Sequence, residues 1–277
     1  MSGTHLPIQE LLIENRDHDC EGVGDAHVCV RIASIADLPT RFGTFHIVAF
    51  WNNRDGKEHA ALVRGDVTDS EDVVVRLHSE CLTGDALGSL RCDCRDQLEA
   101  ALHTIGQLER GIVLYMRQEG RGIGFLNKIR AYGLQDYGYD TVEANLALGF
   151  GDDEREYSVA AHMLMSLKVR SVQVLTNNPR KLEALSALGV QVKGRLPLIM
   201  PPNPYNVFYL ETKARKSGHL LYPEGKARLP EQGEPPIVAG MTAAQVAAVA
   251  AAQQAAATAT IHEAGPPARA AQNGAGG

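Results

Sequence analysis

The sequence predicts an α/β fold, a layered domain built on a mixed β-sheet flanked by helices. Over the middle of the 277-residue chain, short runs rich in β-branched and aromatic residues alternate with segments whose apolar residues recur at helical spacing. The first two strand-like runs are joined by the turn-forming segment 52–56, which indicates an N-terminal β-hairpin region and hence a sheet that is not purely parallel. With 44% hydrophobic residues the chain can bury a full core. An α+β fold class is the alternative that the same pattern allows.

The predicted elements follow in chain order. Residues 45–51 and 60–63 form the hairpin, and strands are expected at 73–75, 111–116 and 172–175. Helical spacing predicts helices at 96–107, 125–137 and 158–167, and a further helix from Pro179 to Gly189. Asn178 is the expected N-cap of that last helix, with proline in the first turn.

Both ends of the chain are expected to lie outside the domain, which should span residues 36–222. Residues 1–35 are polar, with charges and glycines that break any periodicity, and predict a weakly ordered extension. Residues 223–277 are rich in Pro, Gly and Ala and offer almost no large side chains to bury. We therefore expect a disordered tail there.

Composition restricts the partners and the compartment. The net charge of −6 argues against a nucleic-acid partner, although a single nucleotide needs only a local cluster of Arg and Lys. No uncharged apolar run of about 18 residues predicts a membrane span, and no secretory signal opens the chain. The expected location is the cytoplasm, where thiols stay reduced. There, five cysteines with three close together favour metal binding over a disulfide framework.

The stretch 76–97 is the densest concentration of soft ligands and charges in the chain. It contains Cys81, Cys92 and Cys94. Three thiolates with an open fourth position are typical of a catalytic zinc site, whereas a fourth ligand such as His78 would give a structural one. His78 could equally face a substrate, so the residues alone leave both readings open. The last two cysteines precede a predicted helix, whose N-terminus favours thiolate over thiol.

Three further charged segments lie between predicted strands and helices. Segment 117–124 and nearby Lys128 combine cations suited to phosphate with Glu119, a carboxylate that can accept hydrogen bonds from guanine. A salt-bridged helix start is the alternative. Segment 152–157 has the composition of an acidic N-cap with a paired arginine. Segment 176–181 offers a hydroxyl, backbone N–H groups and a lysine to an anion, or is a simple capped helix.

Six motifs, taken together and in this order, closely resemble GTP cyclohydrolase II over about residues 30–221. They are Arg-Leu-His-Ser-Glu-Cys-Leu-Thr-Gly-Asp, Leu-Arg-Cys-Asp-Cys, Tyr-Met-Arg-Gln-Glu-Gly-Arg-Gly-Ile-Gly, Asn-Lys-Ile-Arg-Ala-Tyr, Asp-Thr-Val-Glu-Ala-Asn and Leu-Thr-Asn-Asn-Pro-Arg-Lys. Members of that family open the imidazole ring of GTP. They release formate and pyrophosphate and leave 2,5-diamino-6-hydroxy-4-(5-phosphoribosylamino)pyrimidine, the first committed compound of riboflavin biosynthesis. They use zinc and magnesium and form homodimers.

The resemblance implies roles for particular residues. One Zn²⁺ per subunit would be held by Cys81, Cys92 and Cys94, with Mg²⁺ accompanying the triphosphate. The implied GTP contacts are Arg76, Leu77, His78, Ser79, Glu80, Gln97, Glu119, Gly120, Arg121, Thr141, Thr176 and Lys181. The implied catalytic residues are Tyr132, Asp153 as proton acceptor and Arg155 as nucleophile toward the α-phosphate.

Arginine is an unusual nucleophile because its guanidinium stays protonated in proteins. We therefore favour an electrostatic clamp on the phosphate as the role of Arg155. Arg95 stands where the family often has glycine, and is expected to place an extra cation beside the metal.

Two other functions remain open at this stage. One is a related cyclohydrolase that stops at a formamidopyrimidine, against which Tyr132 argues. The other is a non-catalytic GTP-binding regulator with structural zinc, which would need neither Asp153 nor Arg155. The expected partners are GTP and a second copy of the chain.

Overall fold

The computed structural model describes residues 8–15 and 27–221. Within this part of the chain a seven-stranded sheet has the order β1-β2-β3-β5-β4-β6-β7. Its strands are β1 (Val30–Thr40), β2 (Gly43–Asn52), β3 (His59–Arg64), β4 (Val73–Ser79), β5 (Gly111–Met116), β6 (Val172–Leu175) and β7 (Val192–Leu196). The helices are α1 (Ile8–Glu14), α2 (Cys94–Gly106), α3 (Gly124–Gln135), α4 (Thr141–Ala147), α5 (Ser158–Ser166), α6 (Pro179–Ala187) and α7 (Val207–Arg215).

The two halves of the sheet differ in strand direction, which confirms the predicted mixed α/β architecture. β1, β2, β3 and β5 pair antiparallel in that order, and the β2–β3 hairpin forms where it was predicted. β5, β4, β6 and β7 pair parallel. The carboxyl ends of β4, β5 and β6 therefore meet at one edge. In open α/β sheets this edge is the usual place for a ligand.

Helices cover both faces of the sheet. On β5, Ile112 and Leu114 belong to the main core cluster, together with residues of α5. Val113 lies between them in sequence and packs instead with Phe45 and Ile105, the latter from α2. Since successive strand residues face opposite sides, β5 is buried between two helical layers. This packing fixes the positions of the strand ends.

The N-terminal boundary differs from the prediction. β1 begins at Val30, inside the range 1–35 expected to be weakly ordered, and pairs along β2. α1 places Ile8 and Leu11 in the main core cluster. The prediction is therefore wrong for these residues. A seven-residue helix and the start of an edge strand are too short to show periodicity, and tertiary packing stabilises them.

Besides α1 and β1, three elements were not predicted: α4, β7 and α7. β7 is only half-buried and contains Lys193 and Gly194, so it lacks a regular apolar alternation. Residues 223–277 lie outside the described residues, as does the prediction of disorder made for them. In the part of the chain that the structure describes, no helix has the length and apolarity needed to cross a membrane.

Candidate functional site

Three thiols meet at the carboxyl edge of the sheet. Cys81 follows β4, whereas Cys92 precedes α2 and Cys94 is the first residue of that helix. Their sulfur atoms lie within 4.8 Å of one another, and the Sγ atoms of Cys81 and Cys92 are 3.7 Å apart. A tetrahedral zinc ion with Zn–S bonds of about 2.3 Å places its sulfur ligands about 3.8 Å apart. The three side chains therefore form a possible metal site of the right size for zinc.

His78 does not complete this cluster. Its Nε2 atom lies 3.0 Å from the Asp85 carboxylate, which also accepts hydrogen bonds from the Cys81 N–H and the Tyr115 hydroxyl. Because an ionised carboxylate only accepts, Nε2 carries the proton. Burial lowers the pKa of His78, so the ring is neutral. Among the described residues the cluster of possible ligands is the three thiols alone.

Without a cation the three thiols cannot all ionise. Hydrogen bonds from Cys92 and Cys94 lower the pKa of Cys81, and the Lys128 ammonium group 3.0 Å from the Cys81 sulfur adds to this effect. Conversely, hydrogen bonding with Cys81 raises the pKa of Cys92 to about 11, and that of Cys94 is raised for the same reason. One thiolate and two thiols is thus the state favoured by the protein alone. Three thiolates require a positive ion among them.

Gly84 lies against the sulfur atoms. Its N–H donates to the Cys81 sulfur at 3.3 Å. A Cβ atom at this position would lie 2.8 Å from the Cys92 sulfur and 3.0 Å from that of Cys81. Such distances would force the thiols apart, so this turn requires glycine.

We expect Gly84→Ala to weaken metal binding by about 10- to 100-fold, as changes to groups that orient metal ligands typically do. Competition with a chromogenic chelator measures this. Gly194→Ala in β7 is the matched control, because a Cβ there meets nothing within 4 Å. Equal metal affinity in the two variants would show that the cluster tolerates the added methyl group.

A pocket that we call the cysteine pocket opens beside the thiols. Its lining includes many of the residues implied by the family resemblance, and it adds several outside that set, among them Lys128, which the sequence had indicated as a cation suited to phosphate. The predicted ones are Ser79, Glu80, Cys81, Cys92, Cys94, Glu119, Gly120, Arg121, Tyr132, Thr141 and Arg155, and the additional ones include Arg91, Gln118, Lys128, Asn145 and Tyr209.

Glu119 is held by internal hydrogen bonds. Its carboxylate accepts from Lys128 Nζ at 2.6 Å, from the Leu82 N–H at 2.6 Å and from the Gly120 N–H at 3.0 Å. A carboxylate has about four lone-pair positions, so one remains for a ligand. Lys128 also reaches the Cys81 sulfur and thereby joins the carboxylate to the thiol cluster.

Tyr132 presents a protonated phenol to the cysteine pocket. Its hydroxyl lies 3.3 Å from the Thr83 hydroxyl, and the Arg91 guanidinium lies 4.4 Å from the ring centroid. Burial raises the pKa of Tyr132 to about 12. At neutral pH it is therefore available as a hydrogen-bond or proton donor.

A second pocket, the cationic pocket, lies alongside. It is bordered by Arg76, His78, Ser79, Cys94, Gln97, Arg121, Arg155, Thr176, Asn177, Asn178, Lys181, Tyr209, Lys213 and His219. Five of these side chains are cationic, and no acidic side chain of the described residues is among them. Such a concentration of positive charge is typical of a polyanion site.

The electrostatics of the cationic pocket indicate a missing negative partner. Burial lowers the pKa of Arg76 to about 10. Burial, followed by the charges of Arg155 and Arg76, holds the pKa of Lys181 well below its usual value. Arg76 Nε and His78 Nδ1 are buried without a hydrogen-bond partner among the described residues. Unpaired buried polar atoms are costly. Arg76 Nε can donate to an anionic ligand, whereas the unprotonated His78 Nδ1 only accepts and so suits a donor group of a ligand.

Arg155 and Asp153 form a bidentate ion pair. Arg155 Nε lies 2.7 Å from one carboxylate oxygen and Nη2 lies 2.5 Å from the other. Burial lowers the pKa of Arg155, but the hydrogen bonds and charge of Asp153 outweigh it and raise the pKa overall. Burial alone would raise the pKa of Asp153, but the hydrogen bonds and charge of Arg155 outweigh this effect and lower the pKa overall. A guanidinium that stays charged in this ion pair is better suited to bind phosphate electrostatically than to attack it as a nucleophile. Asp153 is a weak base, and it lines neither pocket.

Two residues take positions other than those expected. The Leu77 side chain lies in the main core cluster and reaches neither pocket, since it faces away from its strand neighbours Arg76 and His78. Only its carbonyl is involved, accepting from Lys181 Nζ at 2.8 Å. Arg95 pairs with Glu99 at 3.1 Å on the exposed side of α2 and lines neither pocket.

Sequence reasoning missed residues of α7 and the turn after it. Tyr209 lines both pockets, and Lys213 and His219 line the cationic one. The spacing of Tyr209 and Lys213 could have indicated them, because residues four apart lie on one face of a helix. Leu210, next to Tyr209 in the chain, is buried, so this face lies close to the interior.

The chain is similar in sequence to proteins of one family. The family profile described as GTP cyclohydrolase II matches residues 30–197. GTP cyclohydrolase-2 of Aeromonas hydrophila is 57% identical over 192 residues, which cover 69% of this chain and 98% of that protein. GTP cyclohydrolase-2 of Picrophilus torridus is 54% identical over 69% of this chain and all (100%) of that protein. The riboflavin biosynthesis protein RibBA of Bacillus cereus is 50% identical over 78% of this chain and 52% of its own length.

Proposed function

Because the chain belongs to the GTP cyclohydrolase II family, and is thus a hydrolase of riboflavin biosynthesis, we propose that it opens the imidazole ring of GTP at a zinc ion held by three cysteines. The proposed products are formate, pyrophosphate and 2,5-diamino-6-hydroxy-4-(5-phosphoribosylamino)pyrimidine. The zinc ligands would be Cys81, Cys92 and Cys94.

The observation that carries this proposal is the adjacency of the two pockets. They share the lining residues Ser79, Cys94, Arg121, Arg155 and Tyr209. A nucleotide can therefore lie with its base beside the thiols and its triphosphate among the cations. Guanine C8, the carbon lost as formate, would then lie beside the three thiols that would hold zinc.

In the cysteine pocket the residues of the chain orient the base and supply protons. When bound at three thiolates, zinc lowers the pKa of a coordinated water to about 7 and so provides the water for ring opening. Tyr132 is suited to donate a proton to a ring nitrogen, because its phenol stays protonated. Glu119 and Thr141 line the pocket where the base would lie.

In the cationic pocket, Arg76, Lys181 and Arg155 would compensate the charge of the triphosphate. Since no acidic side chain of the described residues lines this pocket, Mg²⁺ would be held by phosphate oxygens and neutral groups and would enter with GTP. Arg155 is proposed as an electrostatic clamp on the departing pyrophosphate. The three reduced thiols that this site requires fit a cytoplasmic location.

Incubation of zinc-loaded protein with GTP and Mg²⁺ tests the proposal. We expect formate and pyrophosphate in equal amounts, together with the diaminopyrimidine product. A ring-opened product that retains the formyl group, with no free formate, would instead indicate an enzyme that stops at a formamidopyrimidine. GTP binding with neither product would indicate a regulator.

We expect Glu119→Gln to reduce discrimination between GTP and ITP, which lacks the 2-amino group. The remaining lone pair of the carboxylate can accept from that amino group, whereas an amide also presents donors. Losing one partner of a charged hydrogen bond costs about 2–5 kcal/mol. The measurement is the ratio of kcat/KM for the two nucleotides. A lower activity with an unchanged ratio would mean that Glu119 serves only to hold Lys128 and the Leu82 N–H.

A homodimer is proposed through the outer face of α3. Phe125, Leu126 and Ile129 expose between 42% and 58% of their surface there, and Leu87 and Leu90 are also exposed in the loop before α2. Exposed apolar groups of this size favour contact with a second copy. Leu126→Asp should give a monomer in light scattering, whereas Leu188→Asp, at a position 37% exposed beyond α6, should not. Identical masses for the two variants would place the interface elsewhere.

A further inference from the structure

A buried lysine from α7 contacts the loop that carries two of the cysteines. Lys213 Nζ lies 2.8 Å from the carboxylate of Asp93, and both side chains are buried. Asp93 stands between Cys92 and Cys94 in the chain. An ion pair at this point acts directly on the backbone segment that presents the two thiols.

Asp93 does not do what an aspartate normally does at its position. It is the N-cap residue of α2, where a carboxylate usually accepts from the first N–H groups of the helix. Here its side chain makes no such capping hydrogen bond. Its two oxygens instead accept from Lys213 and, at 2.5 Å, from Gln97 Nε2. The first N–H groups of α2 thus lack a side-chain cap, because the Asp93 carboxylate binds Lys213 and Gln97 instead.

The hydrogen bonds continue into the cationic pocket. Gln97 Oε1 accepts from Arg76 Nη2 at 2.6 Å, and Arg76 Nη1 donates to the Leu175 carbonyl at 3.1 Å. Lys213, Asp93, Gln97 and Arg76 therefore form one continuous chain of polar contacts. It joins α7 and the cysteine loop to the strands that end at the pocket.

α7 is well placed to hold this lysine still. Lys213 Nζ also lies 4.3 Å from the centroid of the Tyr209 ring, one turn earlier on the helix. Beyond the helix, the His219 N–H donates to the Lys213 carbonyl at 3.1 Å, and the Leu220 N–H donates to the Asn177 carbonyl at 2.8 Å. The end of α7 is thereby fastened to the loop that follows β6.

We propose that Lys213 is a positioning residue for the ring-opening reaction. Through its ion pair with Asp93 it fixes the orientation of Cys92 and Cys94 relative to the cationic pocket. This inference rests on the proposed function, since it assigns Lys213 to the same metal site. Without the lysine, a buried carboxylate would remain uncompensated beside two thiolates, and the loop would shift to expose it. Direct contact between Lys213 and phosphate is the competing role, because the side chain also borders the cationic pocket.

The test compares Lys213→Met, Asp93→Asn and the double variant with the wild type. Arg215→Met, at an exposed position of the same helix, is the control. Zinc affinity is measured by chelator competition, and Co²⁺ in place of zinc reports ligand geometry through its visible spectrum. Steady-state formate release gives kcat and KM, and thermal unfolding checks that each variant folds.

For Lys213→Met we expect zinc affinity to fall by about 10- to 100-fold and the Co²⁺ spectrum to change, as for other outer partners of metal ligands. We expect kcat for formate to fall while KM for GTP changes by less than about threefold. The double variant should be no worse than either single variant, because the two residues act through one contact. Lys213→Arg should recover most of the metal affinity.

Unchanged metal affinity and spectrum with a raised KM would overturn the inference and assign Lys213 to phosphate binding. Additive losses in the double variant would also overturn it. A wild type that binds no zinc would instead overturn the proposed function, and the inference with it. Those failures are distinguishable because metal binding by the wild type is measured first.

Discussion

Cys92→Ser is expected to abolish formate release while pyrophosphate release from GTP remains measurable. A serine alkoxide is rarely available near neutral pH, whereas a thiolate is readily formed and is a preferred ligand for zinc. The Sγ atom of Cys92 lies 3.7 Å from that of Cys81, so the substitution removes one of the three proposed zinc ligands. Without an activated water the ring stays closed. We expect formate production to fall by at least about a thousandfold, since the pKa of the attacking water would return from about 7 toward 15.7.

The variant is assayed for bound metal, formate and pyrophosphate in the same samples. The cations that would hold the triphosphate belong to the cationic pocket, which keeps its charged residues in this variant. Pyrophosphate release therefore persists if the two halves of the chemistry are separable. Formate from zinc-free Cys92→Ser would mean that ring opening does not occur at the cysteines.

Arg155→Ala is expected to cause the opposite loss, suppressing pyrophosphate release although zinc stays bound. Removing a preorganised charge that stabilises a leaving group costs about 10²- to 10³-fold in rate. It also leaves Asp153 buried without its partner, and breaking a buried ion pair in this way costs about 3–5 kcal/mol of stability. Pyrophosphate release and thermal unfolding are measured together.

Asp153→Asn combined with Arg155→Ala separates the two effects of Arg155. Neutralising the carboxylate should recover much of the stability, whereas pyrophosphate release should stay low. If the double variant released pyrophosphate at the wild-type rate, the clamp would lie in other residues. A phosphate adduct on Arg155 in the intact mass of quenched wild-type enzyme would support covalent catalysis instead.

The sequence predicted the central strands well and the outer elements poorly. β5 occupies the predicted residues because it is a continuous apolar run between polar segments, as strands buried on both faces are. β6 was also predicted at its observed residues, since it is apolar at every position except Gln173. β1 and β7 lie at the edges of the sheet, where half-exposed positions dilute the pattern. α7 escaped prediction because part of its inward face is polar, with Lys213 buried against a site and not in the apolar core.

The chemistry of the site was readable where it is local in sequence. Cys92 and Cys94 are separated by a single residue, so residue type and spacing alone indicated a metal. The contact between Asp93 and Lys213 joins residues 120 positions apart, and neither local sequence predicts that the two residues meet. Glu119 shows the intermediate case: its motif indicated a ligand-facing carboxylate, but its bond to Lys128 emerged only from the folded chain.

The division of the sheet into an antiparallel and a parallel half bears on the order in which the protein is assembled during synthesis. β1, β2 and β3 pair with neighbours in sequence, so their loops close at little entropic cost and can close early. The parallel half depends on contacts across about a hundred residues, such as that of Arg76 with the Leu175 carbonyl. The last member of the polar chain, Lys213, leaves the ribosome after every cysteine of the cluster. A growing chain is therefore expected to expose three unpositioned thiols from the emergence of Cys94 until that of α7, and to acquire full affinity for metal only once α7 has emerged.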